Sequence, residues 1–428
     1  MPRELKDSGI EWIGKIPTDW KRTKLLNLLR QSICDGPHET PNLLDNGIPF
    51  ISVDSLNSSE KIDFERCKKF ISQEDYDRYK VKANIEENDI LFTKAATIGK
   101  TAIVGKETFM VWSPIAIIKT DASISDNKYV YHLLNCSDLI KYISLLGSYN
   151  TQINVGMREL EQAVVPVPPL DEQRKIAHFL DCKCTEIDVV IEKTKATIEE
   201  YKSLKQSLIT KSVTKGIHNN CETKPTEYEW IGEIPSHWKT IKCKWLLGER
   251  KERSEDGREE PLSMSQKFGL IPTKEMDMIP NMAASFVGAK LVHTGDLVFN
   301  KLKAHLGVFA VSKYDGLVSP DYAVYYPTGL ADVKYLEYLF KTPQYIAEFR
   351  KKSSGVGAGL TRLYTGDLFS IYCSLPPLEE QKEIIDYLNK KCAEMDTLIA
   401  KKTALLEEME NYKKSVIYEY VTGKKQVQ

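Results

Sequence analysis

Apolar residues along this chain form two kinds of pattern, and each kind occurs twice. Ile187, Ile191, Ile198, Tyr201 and Leu208 fall on alternating steps of four and three, preceded by Ile176 and Leu180, with polar Thr194 and Lys205 in the same seam. Such a stripe buries against another helix. A run of roughly 40 residues would extend about 60 Å at helical rise. A second stripe passes through Ile384, Leu388, Met395, Ile399, Leu406, Met409 and Val416. One offset of 208 residues carries Ile176, Leu180, Lys183, Cys184, Glu186 and Asp188 onto Ile384, Leu388, Lys391, Cys392, Glu394 and Asp396. Two long, matching, half-buried helices most simply pack on each other as a coiled coil.

Both stripes open alike. Pro168-Pro-Leu-Asp-Glu-Gln173 returns as Pro376-Pro-Leu-Glu-Glu-Gln381. The prolines forbid helix before them, and the acids suit the exposed N–H groups of a first turn, so helices are expected from Asp171 and Glu379. The repeat has a beginning as well: Glu11-Trp-Ile-Gly-Lys-Ile-Pro-Thr-Asp-Trp20 returns as Glu229-Trp-Ile-Gly-Glu-Ile-Pro-Ser-His-Trp238. Trp12, Ile13, Ile16 and Trp20 are too apolar for a linker and too broken for a helix, and are expected to pin a domain to the helical stalk.

The second kind of pattern is short and β-like. Residues 48–53, 89–93, 102–104 and 115–118 are apolar, β-branched runs between turn residues and read as buried strands. Tyr129 to Leu146 reads as one helix. The domain before the first stripe is therefore α+β. The domain before the second echoes it loosely, with Gly295-Asp-Leu-Val-Phe-Asn-Lys301 answering Asn88-Asp-Ile-Leu-Phe-Thr-Lys94 and Ser319-Pro320 answering Ser113-Pro114. The expected division is 1–167 and 217–375 for the globular domains, 168–216 and 376–424 for the helices. Residues 212–227 read as a connector with Gly216 a helix stop, and 421–428 as a frayed tail.

Composition narrows the class. At 428 residues, 42% hydrophobic and 28% charged, the chain is of soluble globular type and needs more than one core. No apolar run is long enough to span a membrane and no signal-peptide core opens the chain, so a cytoplasmic protein without membrane contact is expected. Nine cysteines without a C-x-x-C pair read as reduced thiols. A net charge of −1 gives no global nucleic-acid footprint, so basic residues would have to act locally, with partners sharing the phosphate grip.

Catalytic motifs are missing. There is no G-x-x-x-x-G-K-[ST] loop, no strand-borne G-x-G-x-x-G, no H-E-x-x-H and no Asn/Asp-Pro-Pro-aromatic tetrapeptide for holding a target amine. Gly355 to Gly359 reads as a flexible loop. No catalytic residue, metal site or cofactor is expected on this chain. The loops instead offer hydrogen-bonding and basic groups suited to base edges and phosphates. Lys94, Thr97 and Lys100 lie in one turn after a strand; Lys301, Lys303 and His305 lie in the matching turn. Tyr149, Asn150, Gln152 and Asn154 stand just before the first Pro-Pro; Thr361, Arg362 and Tyr364 stand before the second. Amides suit adenine, and Arg362 suits guanine or a phosphate. Solvated polar loops are the plain alternative for any one segment; recurrence at matched places favours recognition. A protein-interaction scaffold, with the coiled coil as its working part, is the competing function.

With these residues in hand, the whole chain resembles the DNA-specificity subunits of type I restriction-modification systems. The repeated Trp-Ile-Gly-x-Ile-Pro and Pro-Pro-Leu-acid-Glu-Gln segments carry the resemblance. So does the loop Asp35-Gly-Pro-His38-Glu-Thr40-Pro41 followed by Gly47-Ile-Pro-Phe50, which is similar to a target-recognition signature. That adds Asp35, His38 and Thr40 to the candidate DNA contacts. The second domain has no such loop. The resemblance implies two target-recognition domains, each reading one half of an interrupted double-stranded DNA site, held by two antiparallel helices in a pseudo-two-fold repeat. It implies two methyltransferase subunits docked on the helices and restriction (translocase/nuclease) subunits that can join. S-adenosylmethionine, ATP and Mg would belong to those partners, and this subunit would not itself be catalytic.

Overall fold

The computed structural model describes residues 3–57, 60–149, 153–218, 221–265, 268–276, 285–355 and 361–427, with backbone alone for Ser148, Tyr149 and Ile153. The chain forms two compact units, residues 1–195 with 404–428, and residues 196–403. Both are α+β. No helix among the described residues is long and apolar enough to cross a membrane.

In the first unit a four-stranded antiparallel sheet runs in the order Cys34–Asp35, Ile115–Ile118, Ile90–Thr93, Thr101–Ile103. Its central strands are unbroken apolar runs because both faces are covered. Ile90 and Phe92, with Ala116 and Ile118, enter a core shared with the helices; Leu91, with Ile115 and Ile117, enters a second core around Phe50, Met110 and Val111. A smaller sheet joins Phe70–Ile71, Ile48–Ile51 and Met110–Val111. Gly36 is demanded by close approach rather than by a turn: a Cβ there would lie 1.9 Å from the Val111 carbonyl oxygen.

The second unit repeats the plan. Its sheet runs Leu247–Glu249, Tyr322–Pro327, Leu297–Asn300, Phe309–Val311. Phe299 stacks on Phe309 with centroids 4.3 Å apart, and both meet Phe340 and Phe349 edge-on. The stretch expected as one helix over 129–146 is two, Asn127–Leu134 and Ser137–Leu146. The break falls at Asn135, whose side-chain amide bonds the Tyr131 carbonyl at 2.9 Å and whose carbonyl accepts from Thr101 Oγ1 at 2.8 Å. A polar side chain able to serve its own backbone ends the helix there.

The long helices are Leu170–Lys215 and Leu378–Val421. Each unit contains the start of one and the end of the other, packed antiparallel. In the first unit Asp188 accepts from Lys413 Nζ at 2.6 Å; in the second Asp396 accepts from Lys205 Nζ at 2.6 Å. Shifting each partner by 208 converts one pair into the other, so a single contact is made twice.

The seam is buried at Ile176, Leu180, Ile187, Ile191 and Ile198, and at Ile384, Leu388 and Val416. Leu208, Met395, Ile399 and Leu406 are only half-buried. Leu208 packs half-buried against the core of the second unit, and Ile209 and Val213 beside it turn fully inward and join that core, because an ideal helix drifts from a strict seven-residue repeat.

The repeated entry and Pro-Pro segments turn out to be joints. Trp20 and Trp238 are fully buried, and their indole N–H groups donate to Glu172 (3.0 Å) and Glu380 (3.1 Å). The Gln173 side-chain oxygen accepts from the Asp126 N–H at 2.8 Å, and Gln381 does the same for Asp332 at 2.8 Å. Asp126 and Asp332 in turn cap the next helix through their own side chains. The buried Tyr129 hydroxyl lies 3.2 Å from the Val421 carbonyl oxygen, and that of Tyr335 3.0 Å from that of Val213. Each domain thus grips the N-terminus of one long helix and the C-terminus of the other.

Gly216 stops the first helix at φ +77°. The segment 421–427 is not a frayed tail. Val421, Thr422 and Gly423 are buried, Lys424 Nζ donates to the Lys15 carbonyl at 2.6 Å, and a Cβ on Gly423 would strike Pro17 at 2.5 Å. Its polarity suggested solvent, but the opening segment supplies the acceptor and the apolar cover.

Candidate nucleic-acid interface

In each unit the fold joins the two loop segments singled out in the sequence. Where the strand Ile90–Thr93 ends, the Lys94 carbonyl accepts from the Val155 N–H at 2.9 Å, and Ala95 bridges Asn154. In the second unit the Lys301 carbonyl accepts from the Leu363 N–H at 3.0 Å. The turn after the strand is therefore tied to the segment before Pro-Pro at equivalent places, bringing Lys94 beside Asn154 and Lys301 beside Arg362 along the chain.

The side chains around these ties differ. In the first unit Asp35 Oδ2 lies 3.1 Å from Lys94 Nζ and 3.3 Å from His38 Nε2. Asp35 Oδ2 makes no hydrogen bond, so its attraction to Lys94 is Coulombic. Asp35 and Lys94 are almost fully covered, their side chains 8% and 9% exposed, while His38 is 73% exposed. Thr40 and Thr97 are exposed. Lys94 spends its charge on Asp35, so it anchors the loop. Lys100 also turns inward, donating to the Val53 carbonyl at 3.2 Å, and its N–H bonds Thr93 Oγ1 at 2.9 Å. Ser148–Tyr149 pairs with Ile153–Asn154 as a short hairpin; Asn150, Gln152 and the side chain of Tyr149 lie outside the described residues.

In the second unit the cluster is cationic. Burial, with Arg362 close by, holds the Lys301 amine below the usual lysine range, against the weaker opposing pull of Asp321 and Glu249. Burial, with Lys301 close by, does the same to Lys290, whose amine donates to the Tyr322 carbonyl at 2.7 Å. Arg362 donates to Asp321 at 2.9 Å, and its Nε is buried without a partner. Tyr364 and Lys303 are exposed, Thr361 is half-buried, and His305 sits in the turn Ala304–Leu306. Most of Gly355–Gly359 lies outside the described residues.

Lys290, Asp321 and Tyr322 escaped the sequence reading. Ser319-Pro320, the anchor shared with Ser113-Pro114, was the one pointer to Asp321.

Two copies of one α+β unit, alike in scaffold and unlike in the charge of their tied loops, define a protein built by internal duplication. Comparison with known proteins gives its family. Residues 19–200 and 281–408 match the type I restriction modification DNA specificity domain, and the chain belongs to that family. It is 28% identical to a putative type I restriction enzyme MjaX specificity subunit of Methanocaldococcus jannaschii, covering 96% of this chain and 95% of that one. The MjaVIII specificity subunit of the same organism is 24% identical over 79% and 80%. A chain from a structure titled for complex assembly and conformational transition of the type I R-M system shares the fold at TM-score 0.68 and 15% identity, over 96% of this chain and 99% of the other. The HsdS subunit from Thermoanaerobacter tengcongensis gives TM-score 0.50 and 16% identity over 96% and 98%.

Proposed function

We propose that this chain is the DNA-reading subunit of a type I restriction-modification complex, each unit reading one half of an interrupted duplex target. The observation that carries the reading is the pair of equivalent loop ties, Lys94 to Val155 and Lys301 to Leu363, framed by different charge in the two units. A fixed scaffold with unlike loops suits two readers of two different sequences.

In the first unit the readers are His38, Thr40, Thr97 and Asn154, together with Tyr149, Asn150 and Gln152 of the same sequence segment. Asp35, Lys94 and Lys100 hold their loops in place. In the second, Lys301, Arg362, Lys303, Thr361, Tyr364 and His305 serve, with Lys290 supporting them. Arg362 is matched to guanine or a phosphate, and amides to adenine.

The helices are the docking platform for two methyltransferase subunits. Their seam leaves Val190 43% and Tyr412 46% exposed in the first unit, and Leu204 52% and Leu398 45% in the second. These are again related by 208, so the chain offers one apolar patch twice. Methylation with S-adenosylmethionine, and ATP- and Mg-dependent cleavage by joining restriction subunits, belong to the partners; this subunit is non-catalytic.

The test is Arg362→Ala in the complex with its methyltransferase partners. Discrimination should fall by about 1–3 kcal/mol at one base step of one half-site. Equal weakening at both half-sites, or binding that does not fall with rising salt, would favour the interaction-scaffold reading.

A further inference from the structure

The second unit holds a cavity that shares only His305 with the proposed DNA readers. It is about 630 Å³ and lies among the edge strand Phe309–Val311, the hairpin of Leu262–Ser265 with Gly269–Pro272, the helices Val333–Phe340 and Pro343–Lys352, and Gln206. Lys313, Lys334, Lys341 and Arg350 line it against the single carboxylate of Glu337, leaving three positive charges. Both Glu337 oxygens are taken, by Lys334 and Lys341 at 2.6 Å each. No carboxylate of the described residues pairs with Lys313 or Arg350. His305 Nδ1, on the wall, is buried without a partner.

The edge strand adds a donor. Ser312 N–H bonds the Asp296 carbonyl at 2.8 Å as Val104 N–H bonds that of Asp89 at 2.8 Å, so Val311 and its counterpart Ile103 both face outward. In the first unit Ile103 N–H donates to the Glu60 carbonyl at 2.8 Å, and Lys128, the counterpart of Lys334, pairs with the Glu60 side chain at 3.1 Å and with Asp181 at 2.8 Å. An acidic residue of the chain itself thus satisfies that place. In the second unit Val311 N–H has no backbone acceptor among the described residues. Phe309, Ile346 and Leu306 add apolar wall, with Lys341 Nζ 5.8 Å from the Phe309 ring centroid.

We propose that this cavity binds the phosphate of a free nucleotide, with Lys313 and Arg350 as the unneutralised cations that hold it and the apolar wall against its base or sugar. The volume is that of a small-ligand site, and cationic donors to phosphate make strong charge-assisted hydrogen bonds. The assignment rests on Lys313 and Arg350, which the DNA reading of the tied loops does not use.

Calorimetric titration of the full chain with ADP, adenosine and a duplex oligonucleotide of unrelated sequence tests it, repeated on Lys313→Gln/Arg350→Gln. Both side chains are exposed, so the variant should unfold like the parent. For a free nucleotide, ADP should bind at least tenfold more tightly than adenosine and lose tenfold or more in the double variant. Loss of oligonucleotide binding in the double variant without loss of ADP binding would overturn the proposal and assign the cavity to the DNA interface. Arg362→Ala should leave the ADP titration unchanged, which separates failure of this site from failure of the base-reading loops. ADP binding no better than adenosine, or equal ADP affinities of parent and double variant, would also overturn the proposal.

Discussion

Gln173→Ala is the sharpest test of how the repeated Pro-Pro-Leu-acid-Glu-Gln motif builds the fold. Gln173 is 1% exposed. Its oxygen accepts from the Asp126 N–H at 2.8 Å, and its amide donates to the Pro168 carbonyl at 3.0 Å and the Ile124 carbonyl at 3.2 Å. Truncation strands a buried N–H at a helix N-cap, which costs about 1–3 kcal/mol. The two carbonyls lose a donor but keep a second lone pair, and the vacated volume adds to the loss. A total of about 3 kcal/mol follows, concentrated where 124–135 meets the start of the long helix.

Hydrogen exchange reads the two units separately. Amides of Tyr129 to Leu134 should exchange roughly 150-fold faster, the factor that 3 kcal/mol represents, while those of Tyr335 to Phe340 stay unchanged. Gln381→Ala should do the converse. Less than a threefold change in either variant, or equal acceleration in both units, would refute the joint.

Two other perturbations probe the helices and the charges around them. Reversing Asp188 to Lys should destabilise the first unit by about 1 kcal/mol, since both partners are partly exposed, and Lys413→Asp in the same chain should restore most of it. A double-mutant cycle by urea unfolding checks this, and additive losses would contradict the antiparallel register. Asp181 is opposed by burial, but His132 at 2.7 Å and Lys128 at 2.8 Å outweigh that and hold its carboxyl below the ordinary aspartate range. A depressed folded value contributes stability above the unfolded value near 3.9 that is lost as pH falls below about 4. Asp181→Asn should therefore lower stability at pH 7 and shrink the loss on acidification; an unchanged acid limb would sink the assignment.

The fold was legible where residue type alone dictates geometry. The double Pro-Pro, the buried apolar strands and the Gly216 stop survive any tertiary setting. The break at Asn135 was hidden because it depends on Thr101, a residue on another strand. Polarity misled at 421–428, since the opening segment that covers it lies at the far end of the sequence. At the loops, the sequence placed Lys94 and Lys301 at equivalent positions. It could not tell that one is neutralised by Asp35 while the other stands among Lys290 and Arg362, because strand pairing decides which charges meet.

The central claim is that each unit reads its own half of an interrupted DNA sequence. Exchange of residues 1–167 for the matching segment of a family member with a different target, followed by mapping of methylated adenines in the host DNA, tests it most directly. One half of the methylated site should change to that of the donor while the other half stays the same; a change in both halves, or in neither, would contradict it.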